Sequence, residues 1–175
     1  MTAFTVTVDD DEVRAALAAL AGKIGNPRPF LLAIGEDIME RAKRRFETST
    51  DPAGRRWQPN ARATIEAFVA GRGGFGKRGI NKKGQGLAMG KKPLIGETGS
   101  LRRQFHVAAS ASAVTVGSAT KYSAMQQFGG SKRSYPNLWG DIPARPFLPV
   151  TLGGDLYPAE RARILDALND FLAGA

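Results

Sequence analysis

The sequence predicts an α+β fold in a single domain over 1–175, with a small antiparallel sheet packed against helices and a long basic glycine-rich loop over 71–93. Three observations point there. Phe30, Ile34, Ile38, Ala42 and Phe46 recur at four-residue spacing, the apolar stripe of a helix. Ile164, Leu165, Leu168 and Leu172 repeat that pattern near the C-terminus. Between them, 105–108 and 113–117 read as the two arms of a β-hairpin, although alanine and serine are indifferent strand formers. The resulting order is strand, helix, helix, loop, hairpin, short helix, strand, helix, an α+β arrangement with no internal repeat.

Taken in order, Phe4, Val6 and Val8 alternate with Thr5 and Thr7, the period of a half-buried strand. Asp9, Asp10 and Asp11 end it and place acids at a helix start, where the dipole favours them. Val13, Leu17, Leu20 and Ile24 are the stripe of that first helix. Asn26 is a good cap and Pro27 fits a first helical position, so the second helix starts there. Asp37 with Arg41, and Glu40 with Arg44, are spaced to pair along it. Arg41, Lys43, Arg44 and Arg45 read as a solvated helix end, cations near the negative pole, rather than a partner surface. Trp57, in the turn-rich stretch 48–60, reads as a lid on the second helix, and 61–70 as a short third helix through Ile65, Phe68 and Val69. The last helix spans about 158–172.

Composition narrows the function. At 175 residues, 42% hydrophobic and 23% charged, the chain can bury a core as one globular domain. It has no cysteine, which excludes disulfides, thiolate catalysis and cysteine zinc sites and suits a reducing cytosol. No basic-then-apolar N-terminal segment and no membrane-length apolar run is visible, so a soluble chain without membrane contact is expected. The net charge of +9 is concentrated: 71–93 carries Arg72, Lys77, Arg78, Lys82, Lys83, Lys91 and Lys92 and no acid, leaving +2 for the rest. With eight glycines and a scatter of apolar residues, that segment is expected to be mobile alone and ordered on assembly.

The motifs of common chemistries fail on inspection. Gly71-Arg72-Gly73-Gly74-Phe75-Gly76 and Gly74-Phe75-Gly76-Lys77-Arg78-Gly79 match G-x-G-x-x-G, but no strand pattern precedes them and no helical stripe follows. Arg78 stands where a Walker A loop needs Ser or Thr for magnesium. His106 is the single histidine, too few for a triad or a multi-histidine metal site without partners. Asp9 to Asp11 lack calcium-loop spacing. No catalytic constellation, cofactor site or metal site is expected.

The most informative stretch is 117–147. Thr120 can cap a short helix on which Tyr122, Met125 and Phe128 share a face, and Gly129 supplies the left-handed turn that ends it. Pro143 and Pro146 stiffen the backbone around Arg145, which presents a guanidinium and, at Phe147, a phenyl ring. Gly117-Ser118, Tyr122, Gln127-Phe128-Gly129 and Ile142-Pro143-Ala144-Arg145-Pro146-Phe147-Leu148 resemble the phage virion morphogenesis family, tail-completion proteins of contractile-tailed bacteriophages. Phe46 with Asp51-Pro52-Ala53-Gly54-Arg55-Arg56-Trp57-Gln58-Pro59, and Leu94-Ile95-Gly96-Glu97-Thr98-Gly99-Ser100-Leu101, agree with it, and the likeness runs from about Ala33 to the C-terminus. Ala53 departs from the family's simpler turn, but Gly54 is kept.

The resemblance implies a structural, non-enzymatic protein of the virion tail or neck, assembled in the bacterial host cytoplasm. It implies a homo-oligomeric ring, commonly sixfold, meeting the tail tube or sheath and the head connector. A ring needs head-to-tail contacts. Arg145 is expected to grip a carboxylate bidentately, within the subunit or across the interface. Tyr122, Phe128 and Phe147 are expected in the core or at the subunit contact, or the motif simply fixes the fold. For 71–93 three readings stay open: a solubilising segment, contact with acidic protein surfaces, or non-specific contact with DNA as a nucleic-acid-binding accessory protein.

Overall fold

The computed structural model describes residues 10–23, 25–96, 98–138 and 140–173. The strand expected over 4–8 lies outside them. The fold is α+β. Helix α2 (Arg28–Thr48) is its spine, and the hairpin β3 (Phe105–Ala109) and β4 (Val114–Ser118) lies against it, in register from Phe105 opposite Ser118 to Ala109 opposite Val114. Helices α1 (Asp11–Lys23) and α7 (Pro158–Ala173) pack together, and α7 reaches α2.

Local chemistry explains the ends of these helices. Asp10 opens α1, its Oδ1 accepting from the Val13 N–H at 3.3 Å, while its other oxygen pairs with Arg161 at 2.6 Å. Asn26 Oδ1 accepts from the Arg28 N–H at 3.3 Å, and Pro27 already has helical φ and ψ, as its place at a first turn requires. The turn after α2 is held by Asp51, whose Oδ1 accepts from the N–H groups of Ala53 and Arg55, both at 2.9 Å, so Ala53 is accommodated.

The core has two clusters. In one, Phe46 lies 5.5 Å from Trp57, 5.3 Å from Phe147 and 6.1 Å from Phe105, ring centre to ring centre. Trp57 is therefore the lid its sequence suggests. In the other, Ile34 and Ile38 meet Leu156, Ile164 and Leu168, with Val13 and Leu17 of α1 against them. Val116 touches both clusters and joins them. The extended chain expected at 149–152 is present only as a bridge between Val150 and Leu156.

Two expectations are corrected. The first concerns Arg45, which is not part of a solvated helix end. It is buried, with its guanidinium on the Glu160 carboxylate and a further bond to the Phe147 carbonyl at 2.9 Å. Arg41 donates to the other Glu160 oxygen at 3.0 Å and also pairs with Asp37, so one buried carboxylate gathers two arginines of α2. Burial pushes the Arg45 pKa down and Glu160 opposes that shift. The partner of Glu40 is Lys43, at 2.7 Å, rather than Arg44.

The second concerns 71–93, which is not a structureless loop. After α3 (Arg62–Ala70) it forms a minimal hairpin, β1 (Phe75–Gly76) with β2 (Gly79–Ile80), and then helix α4 (Lys82–Gly90), after which the single turn α5 (Ser100–Arg103) leads into β3. Asn81 organises the turn into α4, accepting from the Gly84 N–H at 2.8 Å and donating to the Gly73 carbonyl at 3.3 Å. At Gly74 and Gly84 glycine serves contact, while Gly73 and Gly79 hold positive φ. The backbones at Gly74 and Gly84 cross, and a Cβ on Gly74 would sit 2.7 Å from the Gly84 Cα. A Cβ on Gly84 would run into the Gly74 carbonyl.

Gly84→Ala is therefore expected to loosen this lobe alone. Amide exchange should accelerate across 71–93 while α2 stays protected, with overpacking of about 1–3 kcal/mol. Glu160→Gln leaves two guanidiniums poorly compensated in a buried site. Urea unfolding should register a loss of about 3–5 kcal/mol, as for other broken buried pairs.

Candidate functional site

The 117–147 stretch is built on one buried amide. Helix α6 (Ser123–Phe128) places Gln127 in the core with no exposed surface. Its Oε1 accepts from the N–H groups of Phe147 (2.8 Å) and Leu148 (2.9 Å). Its Nε2 donates to the carbonyls of Leu148 (3.1 Å) and Val150 (3.0 Å). All four hydrogen-bonding positions of the amide are thereby used on one extended strap, 142–150. The Arg145 N–H donates to the Gln126 carbonyl at 2.8 Å, and Gly130 and Ile142 exchange backbone bonds of 2.9 and 2.8 Å.

Gly129 makes the return possible. It ends α6 with φ +75° and ψ 179°, a region open almost only to glycine, and a Cβ there would meet the Ala144 N at 2.8 Å. The positive φ is as its sequence suggests, but the chain leaves extended rather than in a left-handed turn. Thr120 does not cap α6 through its side chain. Its hydroxyl pairs with Ser118 Oγ at 3.1 Å, and its carbonyl accepts from both the N–H (3.1 Å) and Oγ (2.8 Å) of Ser123.

Arg145 departs from expectation in its partner. Its Nε donates to the Gln58 carbonyl at 2.9 Å and an Nη to the Pro59 carbonyl at 3.0 Å. Among the described residues no carboxylate pairs with it. The fork instead satisfies two carbonyls of the loop beyond Trp57, whose Nε1 donates to the Pro146 carbonyl at 2.9 Å. Strap and loop thus hold each other, with Pro143 and Pro146 on either side of the arginine. Burial lowers the Arg145 pKa.

The aromatic residues divide. Phe147 is fully buried, Phe128 is half-buried against the Phe46 cluster, and Tyr122 is 48% exposed with its hydroxyl 2.7 Å from Ser100 Oγ. Tyr122 is thus the one of the three available for a contact outside the subunit.

The four sequence pieces that carry the family likeness meet in space around a cleft of about 500 Å³. Gln58 and Pro59 come from the first piece, and Leu94, Ile95 and Gly96 from the second. Tyr122 and Gln126 come from the third, and Ile142, Pro143 and Arg145 from the fourth. Gln126 is the residue that sequence reasoning missed: its Oε1 is buried and accepts no hydrogen bond among the described residues. Its only signal was its place beside Gln127.

The seven lobe cations divide as well. Arg72 lies over the Phe68 ring, 3.9 Å from its centre, and the Lys91 ammonium lies 4.9 Å from the same ring and bonds the Ile95 carbonyl. Lys92 donates to the Glu47 carbonyl at 2.6 Å. Lys77, Arg78, Lys82 and Lys83 are exposed. The G-x-G-x-x-G matches sit between a helix and a hairpin, not between a strand and a helix. His106 is exposed on β3. Among the described residues no three His, Cys, Asp or Glu gather as a metal site, and no helix is long and apolar enough to cross a membrane.

The family model for phage virion morphogenesis matches residues 8–173. The chain belongs to the phage virion morphogenesis family. No curated protein and no solved structure matches it. The family places the chain among proteins that serve the building of a phage virion.

Two substitutions separate the roles of the strap. Gln127→Leu strands four buried backbone groups, each worth about 1–3 kcal/mol when unsatisfied, and should leave the chain unable to fold cooperatively in thermal melts. Arg145→Ala should lower stability by about 1.5–3 kcal/mol through its two charge-assisted bonds, measured by urea titration.

Proposed function

We propose that this protein acts structurally, completing the tail or forming the head–tail junction as a ring of identical subunits, sixfold to match the symmetry of a tail tube. Tail tube or sheath on one side and head connector on the other are its partners, and the virion neck is its place. The observation that carries this reading is the convergence of the family-like pieces on one cleft made of rigid backbone, prolines and a carbonyl-bound arginine. Such a site can position a neighbour.

The cleft suits one side of a head-to-tail contact. Tyr122 offers a half-exposed ring at its edge. A heterologous contact of this kind, repeated around an axis, closes a ring.

Native mass spectrometry of the purified protein tests it. Discrete rings that form without DNA are expected, and Tyr122→Ala should shift them to monomer while the melting temperature stays near that of the parent. A chain that remains monomeric at every concentration, alone and with tail or connector proteins, overturns the reading.

A further inference from the structure

We propose that the 71–93 lobe binds duplex DNA through its phosphates, using Lys77, Arg78, Lys82 and Lys83 and reading no sequence. This inference is independent of the ring reading.

The seven cations of the lobe do not all have work within the fold. Arg72, Lys91 and Lys92 are engaged with Phe68, Ile95 and Glu47 and fasten the lobe to the body. Lys77 and Arg78 form the turn of the β1–β2 hairpin, and Lys82 and Lys83 begin α4 just beyond β2. All four are exposed, and the sequence from Gly71 to Gly96 holds no acid to pair with them. Lys82 and Lys83 also stand at the positive end of a helix, where the fold by itself favours acids. Four like charges so placed raise a positive potential that a polyanion relieves.

The chemistry selects duplex DNA. Three of the four are lysines, a residue depleted from protein–protein interfaces but suited to phosphate as a point charge. Phe75, 43% exposed, is the only aromatic residue of the lobe, too few for the stacking platform that single strands need. The lobe is also built before it binds: the Gly74–Gly84 crossing and Asn81 fix the hairpin against α4, which limits the ordering cost of association.

Fluorescence anisotropy with a mixed-sequence duplex of about 30 base pairs provides the test. Four neutralised phosphates give a slope of about −3.6 in log affinity against log salt, so binding should weaken about 100-fold between about 50 and about 200 mM salt. The variant Lys77→Gln/Arg78→Gln/Lys82→Gln/Lys83→Gln should flatten that slope and lose most of the low-salt affinity. Its circular dichroism should match the parent, since none of the four side chains is bonded within the described fold. Lys132→Gln/Arg133→Gln, which removes exposed charge elsewhere, should keep most of the slope. Absence of DNA binding at low salt, or an unchanged slope in the fourfold variant, overturns the proposal. So does polyglutamate binding more tightly than the duplex at matched salt, which would assign the lobe to an acidic protein surface.

Discussion

A single buried carboxamide governs how the second half of this chain closes on itself. Gln127 has two acceptor and two donor positions, and the strap presents two N–H groups and two carbonyls that water cannot reach. No apolar residue of similar size answers that need, and a carboxylate would have nothing to donate to Leu148 and Val150. Once α6 is clasped to the strap, Phe147 is committed to the Phe46 cluster and Arg145 to the loop after Trp57. Gly129 is the geometric condition for that closure, because the chain must reverse there without a Cβ.

A second constraint ties this half to the helices. Glu160, at the start of α7, lies between Arg41 and Arg45 of α2, and Arg45 also reaches the Phe147 carbonyl. The ion pair therefore links α7, α2 and the strap in one buried network. Buried pairs contribute little net stability against an apolar replacement, but they penalise any packing that separates their members. Here they fix the position of α7 along α2, with the Phe30–Phe171 stack, centres 4.2 Å apart, at the far end.

What the sequence conveyed follows from the range of the forces involved. The four-residue spacing of Phe30 to Phe46 and the late leucine stripe revealed α2 and α7, because a helix that buries one face must repeat it. Trp57, the β3–β4 hairpin and the positive φ of Gly129 were legible for similarly local reasons. Arg45 was not, since its role depends on a glutamate far along the chain. The partners of Arg145 were hidden because backbone carbonyls, unlike carboxylates, leave no trace in a sequence. The hairpin and helix of the lobe were missed because glycine that permits two backbones to touch looks the same, residue by residue, as glycine in an irregular loop. Of the cleft, its constituent pieces were visible, but their meeting and the unmet acceptor of Gln126 required the fold.

The crossing at Gly74 and Gly84 also separates the support of the lobe from that of the body. It holds the lobe together internally, while α3 against α4, the Asn60–Lys91 bond and the anchors at Arg72, Lys91 and Lys92 tie the lobe to the body. Residues at the tip can change charge or length while the aromatic cluster and the strap remain as they are. The protein thus resembles a standard fitting with a separately braced head, in which a change at the tip need not disturb how the body folds.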